Sequence, residues 1–258
     1  MDYKAITLEI TNNIATVTLS RPEVMNALNT QMRAEITHAV RAAEAEARVI
    51  VLTGQGRAFC SGQDLGDGGN AANLDLERTL RDEYVPMLKA IVDCRVPTIS
   101  AVNGPAAGAG ANLALAADVV IASEDAYFVQ AFTRIGLIPD AGGTWMLPRQ
   151  MGTARAMGAS LFADKISGRQ AADWGMIYEA IPASRFAAHW QDRAAYLAKG
   201  PTAAYRHLKS ALRASYDNTL EDQLLVEARL QGKCGQTRDF QEGVVAFLEK
   251  RPAAYEGR

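Results

Sequence analysis

Residues 97–122 constrain the fold of this chain more than any other stretch. The run at 97–102 is apolar and β-branched, a Gly/Ala-rich turn follows at 104–111, and a short helical pattern leads to a second apolar run at 119–122. A strand, a helix and a strand in this order are typical of two parallel strands joined by a right-handed crossover. We therefore expect a parallel sheet at the centre of the fold.

The preceding residues add further elements to the same sheet. Residues 6–19 alternate between apolar and polar around two asparagines, which predicts a hairpin. The run at 49–52 is fully apolar and suits a buried strand, whereas 53–73 is rich in Gly, Ser and Asp and predicts a long loop. Helical spacing appears at 28–45 and again at 76–93. These patterns predict a mixed α/β core.

The chain changes character after Ile181. Almost every residue beyond it belongs to a stretch with helical spacing. We therefore predict a core over residues 1–181 and a helical C-terminal region over 182–258. The four predicted helices of that region span 183–199, 202–215, 219–232 and 239–250.

Composition excludes several classes of function. The chain has 258 residues, of which 48% are hydrophobic and 22% charged, which supports a sizeable globular core. Its net charge of −2 gives no overall bias towards nucleic acid or an anionic membrane. No apolar stretch approaches the roughly 18 residues of a membrane span, and the N-terminus lacks the pattern of a signal peptide. Three widely spaced cysteines favour reduced thiols and a cytoplasmic location.

The small residues at 104–112 allow two interpretations. They let a ligand approach backbone N–H groups where a strand gives way to a helix, and they also allow tight packing of that helix on a strand. A dinucleotide site is disfavoured because Leu113 stands where the last glycine of GxGxxG belongs. The turn at 58–65, after the buried strand, has the same ambiguity between a ligand-binding backbone and a surface loop.

One carboxylate lies in a second glycine-rich segment, at 136–144. Asp140 stands between a proline and two glycines at a loop-to-helix junction. A positioned acid or base beside an oxyanion-binding backbone would suffice for chemistry alpha to a carbonyl. Aspartate at this place is also a good helix N-cap, and Asn112 could be a buried, hydrogen-bonded amide. The residues alone leave these interpretations open.

Taken together, six segments resemble the crotonase, or enoyl-CoA hydratase/isomerase, superfamily. They occur in that family's order and spacing across nearly the whole chain. The segments are RPEVMNAL at 21–28, LTGQGRAFCSGQDL at 52–65, AVNGPAAGAGA at 101–111, GLIPDAGGT at 136–144, AADWGM at 171–176 and EGVVAFLEKR at 242–251.

The resemblance implies a fold of repeated ββα units with a C-terminal helical trimerisation region, assembled as a homotrimer or a dimer of trimers. It implies an acyl-CoA substrate whose thioester oxygen lies between the backbone N–H groups of Gln63 and Ala109. Such donors stabilise the charge of a developing enolate. It also implies that the CoA is bordered by a set of five residues, namely Asn26, Ala27, Leu28, Ser61 and Lys250.

The departures from the family pattern bear most directly on the reaction. Hydratases of this family carry two glutamates, and their positions are occupied here by Asn112 and Phe132, which we place in the acyl pocket. Asp140 matches the catalytic carboxylate of some isomerases and of 4-chlorobenzoyl-CoA dehalogenases. The dehalogenases carry a histidine in the helix before the Gly104 turn, and residues 76–93 contain none. The segments 130–145 and 155–158 look like those of the ring-1,2-epoxyphenylacetyl-CoA isomerases of phenylacetate breakdown.

We therefore predict a CoA-thioester isomerase that acts on ring-epoxidised phenylacetyl-CoA, or shifts the double bond of an enoyl-CoA as in fatty acid metabolism. Asp140 moves the proton, and no metal or redox cofactor is required. Residues 76–85, Phe132 and the C-terminal helices are expected to set the pocket shape. An enoyl-CoA hydratase would need a second acid–base group. A non-catalytic acyl-CoA-binding homologue is the alternative from a different functional class.

Overall fold

A six-stranded sheet forms the centre of the computed structural model, which describes residues 2–66 and 75–258. The strands in chain order are β1 (Ile6–Thr11), β2 (Ile14–Leu19), β3 (Val49–Gly54), β4 (Thr98–Val102), β5 (Ala106–Ala107), β6 (Val119–Ser123), β7 (Tyr127–Val129), β8 (Ile166–Ser167) and β9 (Glu179–Ile181). The order in the large sheet is β1-β2-β3-β4-β6-β9. Only the β1–β2 pair in it is antiparallel. The predicted α/β class and central parallel sheet are confirmed.

The helices alternate with the strands in the first part of the chain and dominate its end. They are α1 (Thr30–Ala43), α2 (Leu76–Thr79), α3 (Val85–Val92), α4 (Ala109–Leu115), α5 (Gly143–Met151), α6 (Thr153–Phe162), α7 (Gly168–Asp173), α8 (Ala183–Ala198), α9 (Thr202–Ala214), α10 (Leu220–Gly235) and α11 (Arg238–Glu249). A π-helical turn, Leu80–Tyr84, joins α2 to α3, and a 3-10 helix spans Ala131–Ile135. None of the described helices is long and apolar enough to cross a membrane.

The hairpin β1–β2 has the turn that its sequence predicts. Asn12 and Asn13 both adopt positive φ, 53° and 62°, between the paired residues Thr11 and Ile14. Asparagine tolerates the left-handed region, and two such residues match the twist of a tight hairpin. This hairpin places β2 beside β3, where the parallel part of the sheet begins.

The large sheet is covered on both faces. On one face, side chains of α1, α3 and α4 form the main core with β2 and β3. On the other, α8 packs through Phe186, Ala194 and Ala198 against strand residues including Val49 and Ile121. Parallel strands are buried on both faces, which accounts for their continuous apolar runs. The boundary that we predict between 181 and 182 therefore lies just before a helix that packs on the sheet.

A second, three-stranded sheet differs from the sequence-based prediction. We predict a Gly/Ala turn leading from β4 directly to a helix, but β5 lies between them and pairs with β7, which pairs in turn with β8. A two-residue strand is too short to produce an alternating pattern, so periodicity could not reveal it. It directs the chain towards Ala109, where α4 begins.

Candidate active site

Two backbone turns lie side by side at the ends of parallel strands. The turn after β3 contains Gly62 and Gln63, and the turn after β5 contains Gly108 and Ala109. They are joined where the N–H of Ala107 donates to the carbonyl oxygen of Cys60 over 2.9 Å. A Cβ at Gly62, which has φ of +95°, would lie 2.8 Å from the carbonyl oxygen of Ala107. Only glycine therefore allows the turns to approach this closely.

Each turn carries one backbone N–H that has no hydrogen-bond acceptor among the described residues. The bridge between Leu28 and Gln63 is built by the carbonyl of Gly62 and the N–H of Asp64, so the N–H of Gln63 takes no part in it. Ala109 is the first residue of α4, where N–H groups have no partner within the helix. Both residues line one cavity of about 300 Å³. Two backbone donors on one cavity are what the stabilisation of a single oxyanion requires, and we expect these two to serve that role.

A buried arginine holds Gln63 in place. Nη1 of Arg33, on α1, donates to Oε1 of Gln63 over 2.9 Å, and the hydroxyl of Tyr84 donates to the same oxygen over 2.5 Å. Arg33 is 2% exposed and is paired with Glu83 over 2.6 Å. Burial raises the pKa of Tyr84, so its hydroxyl stays protonated and remains a donor. Arg33 was not predicted, because a charge beside an apolar helical stripe usually faces solvent.

Asp140 contributes the single carboxylate among the described residues that line this cavity. Its Oδ1 is buried and has no hydrogen-bond partner within the described chain. Burial raises the pKa of Asp140 to about 6. Burial disfavours the charged form of a carboxyl, and no hydrogen bond to Oδ1 offsets that effect. A pKa near neutrality suits a group that both takes up and releases a proton.

Asp140 does not cap the helix that follows it. The N-cap residue of α5 is Gly142, and no side chain caps that helix. The capping interpretation of Asp140 is therefore wrong. Ala141 and Gly142 both have positive φ, 48° and 82°, and these two left-handed residues delay the start of the helix until Gly143. The Asp140 carboxylate therefore makes no capping hydrogen bond to α5 and lines the cavity.

The remainder of the cavity wall is largely apolar. Residues from α2 and the π-helical turn form one side, and residues of the 3-10 helix and the chain after it form another. Phe132 is buried and its ring lies next to Gly108. Among the described residues, no group of His, Cys, Asp or Glu side chains could hold a metal. The side chains that form these two walls include Leu76, Thr79, Leu80, Tyr84, Phe132, Ile135 and Leu137.

Comparison with known proteins decides the family. A sequence model described as "Enoyl-CoA hydratase/isomerase" matches residues 9–258.

The chain belongs to this family.

A Rhodobacter capsulatus protein named "Probable enoyl-CoA hydratase" is 62% identical over 258 residues, covering 100% of both chains. The "1,2-epoxyphenylacetyl-CoA isomerase" of Escherichia coli K12 is 41% identical over 254 residues, covering 96% of this chain and 97% of that protein. The crystal structure of an enoyl-CoA hydratase from Polaromonas sp. JS666 superposes with a TM-score of 0.92 at 32% identity, covering 98% of this chain and 100% of that one. The crotonase fold is thereby confirmed.

In this member of the family, the predicted CoA-binding residues are not all in one place. Ser61 lines the cavity. Asn26, Ala27 and Leu28 are buried beneath the Gln63 turn, and the side chain of Asn26 donates to the carbonyls of Gln55 and Ala58. Lys250 is exposed at the end of α11 and is not among the residues that line the cavity.

The two positions of the hydratase glutamates differ in their surroundings. Phe132 lines the cavity, whereas Asn112 is fully buried and lies behind the loop that carries Asp140. Nδ2 of Asn112 donates to the main-chain oxygen of Asp140 over 2.7 Å. In the described structure, neither position offers a carboxylate to a substrate. No described residue of the C-terminal helices lines this cavity.

Proposed function

We propose that this protein is a CoA-thioester isomerase in which Asp140 transfers a proton between two carbons of the acyl group. The observation that carries the proposal is the environment of Asp140. It is a half-buried carboxylate with a pKa of about 6, whose buried Oδ1 has no hydrogen-bond partner among the described residues. It lies on the same cavity as the N–H groups of Gln63 and Ala109. The E. coli relative named as an isomerase supports this class of reaction.

The geometry supports a mechanism in two proton transfers. The thioester oxygen accepts hydrogen bonds from the N–H groups of Gln63 and Ala109, which makes the alpha proton more acidic. Asp140, mostly ionised above pH 6, removes that proton, and the two N–H groups stabilise the enolate oxygen by about 3–4 kcal/mol each. The protonated carboxyl then returns the proton at another carbon. The reaction is an isomerisation, so nothing is gained or lost overall.

We infer that the acyl group carries a ring. The cavity has a volume of about 300 Å³, and its walls are largely apolar and include Leu, Ile and Phe side chains, which suits an apolar group held beside a few polar atoms. A phenylacetyl-CoA with an epoxide at ring carbons 1 and 2, converted to its oxepin isomer, is the proposed substrate. This would place the enzyme in phenylacetate breakdown. A double-bond shift in an enoyl-CoA is the related second activity.

The test is an isotope-exchange assay followed by a panel of substrates. In D₂O the enzyme should exchange the alpha protons of an acyl-CoA, because Asp140 takes them up reversibly. Among ring-epoxidised phenylacetyl-CoA, 3-enoyl-CoAs and 2-enoyl-CoAs, we expect the ring epoxide to give the highest kcat/KM. A protein that binds these thioesters but exchanges no proton would be an acyl-CoA-binding homologue without catalysis, and the proposal would be wrong.

Hydration of an enoyl-CoA is the second candidate, because the Rhodobacter capsulatus relative is named a hydratase. Water must be oriented and deprotonated in that reaction, and the described cavity provides one carboxylate for it. Losing one acid–base group costs about 10²–10⁴ in rate. We therefore expect crotonyl-CoA to be hydrated at least ~10²-fold more slowly than the preferred substrate is isomerised. Comparable rates would favour the hydratase assignment.

A further inference from the structure

The loop that carries Asp140 is attached to the interior by a chain of two amides. Nδ2 of Asn112, on α4, donates to the main-chain oxygen of Asp140 over 2.7 Å. Nε2 of Gln130, which follows β7, donates to Oδ1 of Asn112 over 2.9 Å. Both amide side chains are completely buried. A carbonyl oxygen can only accept, so the Asp140 oxygen pairs with the NH₂ group of Asn112. The NH₂ group of Gln130 pairs with the Oδ1 of the same amide, so the orientation of the Asn112 amide is fixed from both ends.

The held loop has an unfavourable backbone. Ala141 has φ of +48°, a region that costs a residue with a Cβ about 1–2 kcal/mol, and Gly142 follows at +82°. Within this turn, the main-chain oxygen of Asp140 also accepts from the N–H of Gly143 over 2.8 Å. A conformation of this kind persists where the surroundings impose it. Among the described residues, the hydrogen bond from Asn112 is the one that joins the Asp140 backbone to another element, the helix α4.

Close packing around the Asn112 amide is further evidence that this side chain is fitted to the Asp140 loop. A Cβ at Gly143 would lie 2.5 Å from Nδ2 of Asn112. The absence of a side chain at Gly143 therefore makes room for the amide directly beneath the loop. An ionised glutamate at position 112 has no donor for the Asp140 carbonyl, so an amide can make this hydrogen bond and a glutamate cannot.

We propose that Asn112, oriented by Gln130, is a positioning residue that holds Asp140 on the cavity wall with its Oδ1 buried. This inference rests on the proposed role of Asp140 and adds a second role to it. The position that supplies a water-activating glutamate in hydratases here supplies a donor to the backbone of the residue that moves the proton. Asn112 acts on the reaction through Asp140 and does not contact the substrate.

The test measures the ionisation of Asp140 directly, without any turnover. The protein is labelled with [4-¹³C]aspartate, the Asp140 signal is assigned by its loss in Asp140→Asn, and its shift is followed from pH 3.5 to 8.5. The variants are Asn112→Leu, which removes the donor to the loop, and Gln130→Met, which leaves the Asn112 amide free to rotate. Leu113→Ala is the matched control, because Leu113 is the next residue of α4 and is buried in the main core.

We expect an apparent pKa for Asp140 near 6 in the wild type and in Leu113→Ala. In Asn112→Leu and Gln130→Met it should fall towards the ordinary value of about 4, because the released loop exposes the carboxylate to water. Isomerase kcat should fall at least ~10-fold in both variants, with a smaller change in KM. Leu113→Ala should lower the thermal midpoint without changing that pKa.

Two amide variants are used so that the proposal can still be tested if one of them fails to fold. An unchanged Asp140 pKa in a folded Asn112→Leu or Gln130→Met protein would overturn the proposal, since a mere packing role predicts that result. The readout is also independent of the proposed reaction. If the pKa falls as expected while no acyl-CoA in the panel is isomerised, the positioning role stands and the proposed function is wrong.

Discussion

The sheet-forming part of the molecule and its last three helices differ sharply in how much of their apolar surface one chain buries. Strands β3, β4 and β6 are buried along almost their whole length. Helices α9 and α10 bury no residue fully, although both are amphipathic. Single soluble chains rarely leave so much contiguous apolar surface in water. The exposed side chains of these last helices include Leu212, Leu220, Leu224, Leu225, Phe240, Phe247 and Leu248.

The same contrast separates two cavities, one in each region of the molecule. An apolar groove of about 1180 Å³ lies among α9, α10 and α11, whereas the Asp140 cavity is about 300 Å³. Size alone would select the groove, but the cavity combines a carboxylate of raised pKa with two backbone donors. We therefore expect the sheet region to carry the chemistry within one chain and the helical region to be completed by other copies.

The largest expected effect concerns that helical region. We predict a homotrimer or a dimer of trimers at micromolar concentration. Phe247→Glu should dissociate it, because the change removes about 2–3 kcal/mol of apolar burial from each of three copies and places a charge in the contact. The measurement is light scattering. Gln241→Glu, which adds the same charge at an exposed position of α11, is the control. A monomeric wild type would contradict the prediction.

The next effect concerns the sheet region. Asp140→Asn should lower isomerisation at least ~10²-fold while acyl-CoA binding changes little, because an amide cannot accept the proton. Asp140 does not cap α5, so the helix should be unaffected. Steady-state kinetics and calorimetric binding measure the two quantities. Asp173→Asn, at an exposed position of α7, is the control. Full isomerase activity in Asp140→Asn would remove the carboxylate from the mechanism.

A smaller effect should appear in stability. The folded-state pKa of Asp140 is raised from 3.8 to about 6, so the folded protein retains a proton that the unfolded chain has already lost. The free energy of unfolding contributed by this group therefore falls as pH rises from about 4 to 6, by up to ~3 kcal/mol, and stays low above pH 6. Asp140→Asn should be more stable than the wild type at pH 8 and similar to it at pH 3.5.

Urea unfolding of both proteins at pH 3.5, 5, 6.5 and 8 measures this difference. It should grow with pH and level off above pH 6. A difference that is constant across the four values would show that the carboxylate is not desolvated. In that case, the raised pKa of Asp140 would no longer distinguish the cavity of the sheet region from the groove of the helical region.

The smallest expected effect tests whether the helical region also contributes to ligand binding. Lys250→Ala should weaken acyl-CoA binding by about 1 kcal/mol, more at low salt, as expected for a partly exposed contact with a phosphate. Lys250 does not line the cavity of its own chain, so the contact would form where the CoA emerges from it. Calorimetry with Lys233→Ala as the control, an exposed lysine of α10, tests this. Equal affinities at low ionic strength would assign the whole site to the sheet region.

Much of the fold follows from local patterns, and what does not follow has physical reasons. The hairpin, the strands β4 and β6 and the four C-terminal helices were predicted to within a few residues, because periodicity and turn residues specify them locally. Strand β5 is too short for any pattern. The capping interpretation of Asp140 is wrong, because Ala141 adopts a left-handed conformation that its own preference disfavours and α5 begins only at Gly143.

In the candidate site, too, some features follow from local sequence patterns and others depend on tertiary contacts. Gln63, Ala109 and Asp140 were identified from glycine-rich segments and the family resemblance, and the structure brings all three to one cavity. The support of Gln63 by Arg33 and Tyr84 joins residues 30 and 21 positions away along the chain. Contacts of this kind leave no periodic signal, since each residue alone is compatible with solvent exposure.

The π-helical turn at Leu80–Tyr84 has a consequence for how this enzyme can diverge. A π turn contains one residue more than an α turn, and each residue of an α-helix rotates the chain by about 100°. Deleting Leu80 or Arg81, which lie before Glu83 and Tyr84, would restore a continuous α-helix and turn the side chains of α2 by about that angle relative to α3. Different side chains would then face the acyl group, while Gln63, Ala109 and Asp140 lie on other segments. We therefore expect the loss of a single codon to be a mutational route to a new substrate range that leaves the proposed proton-transfer residues in place.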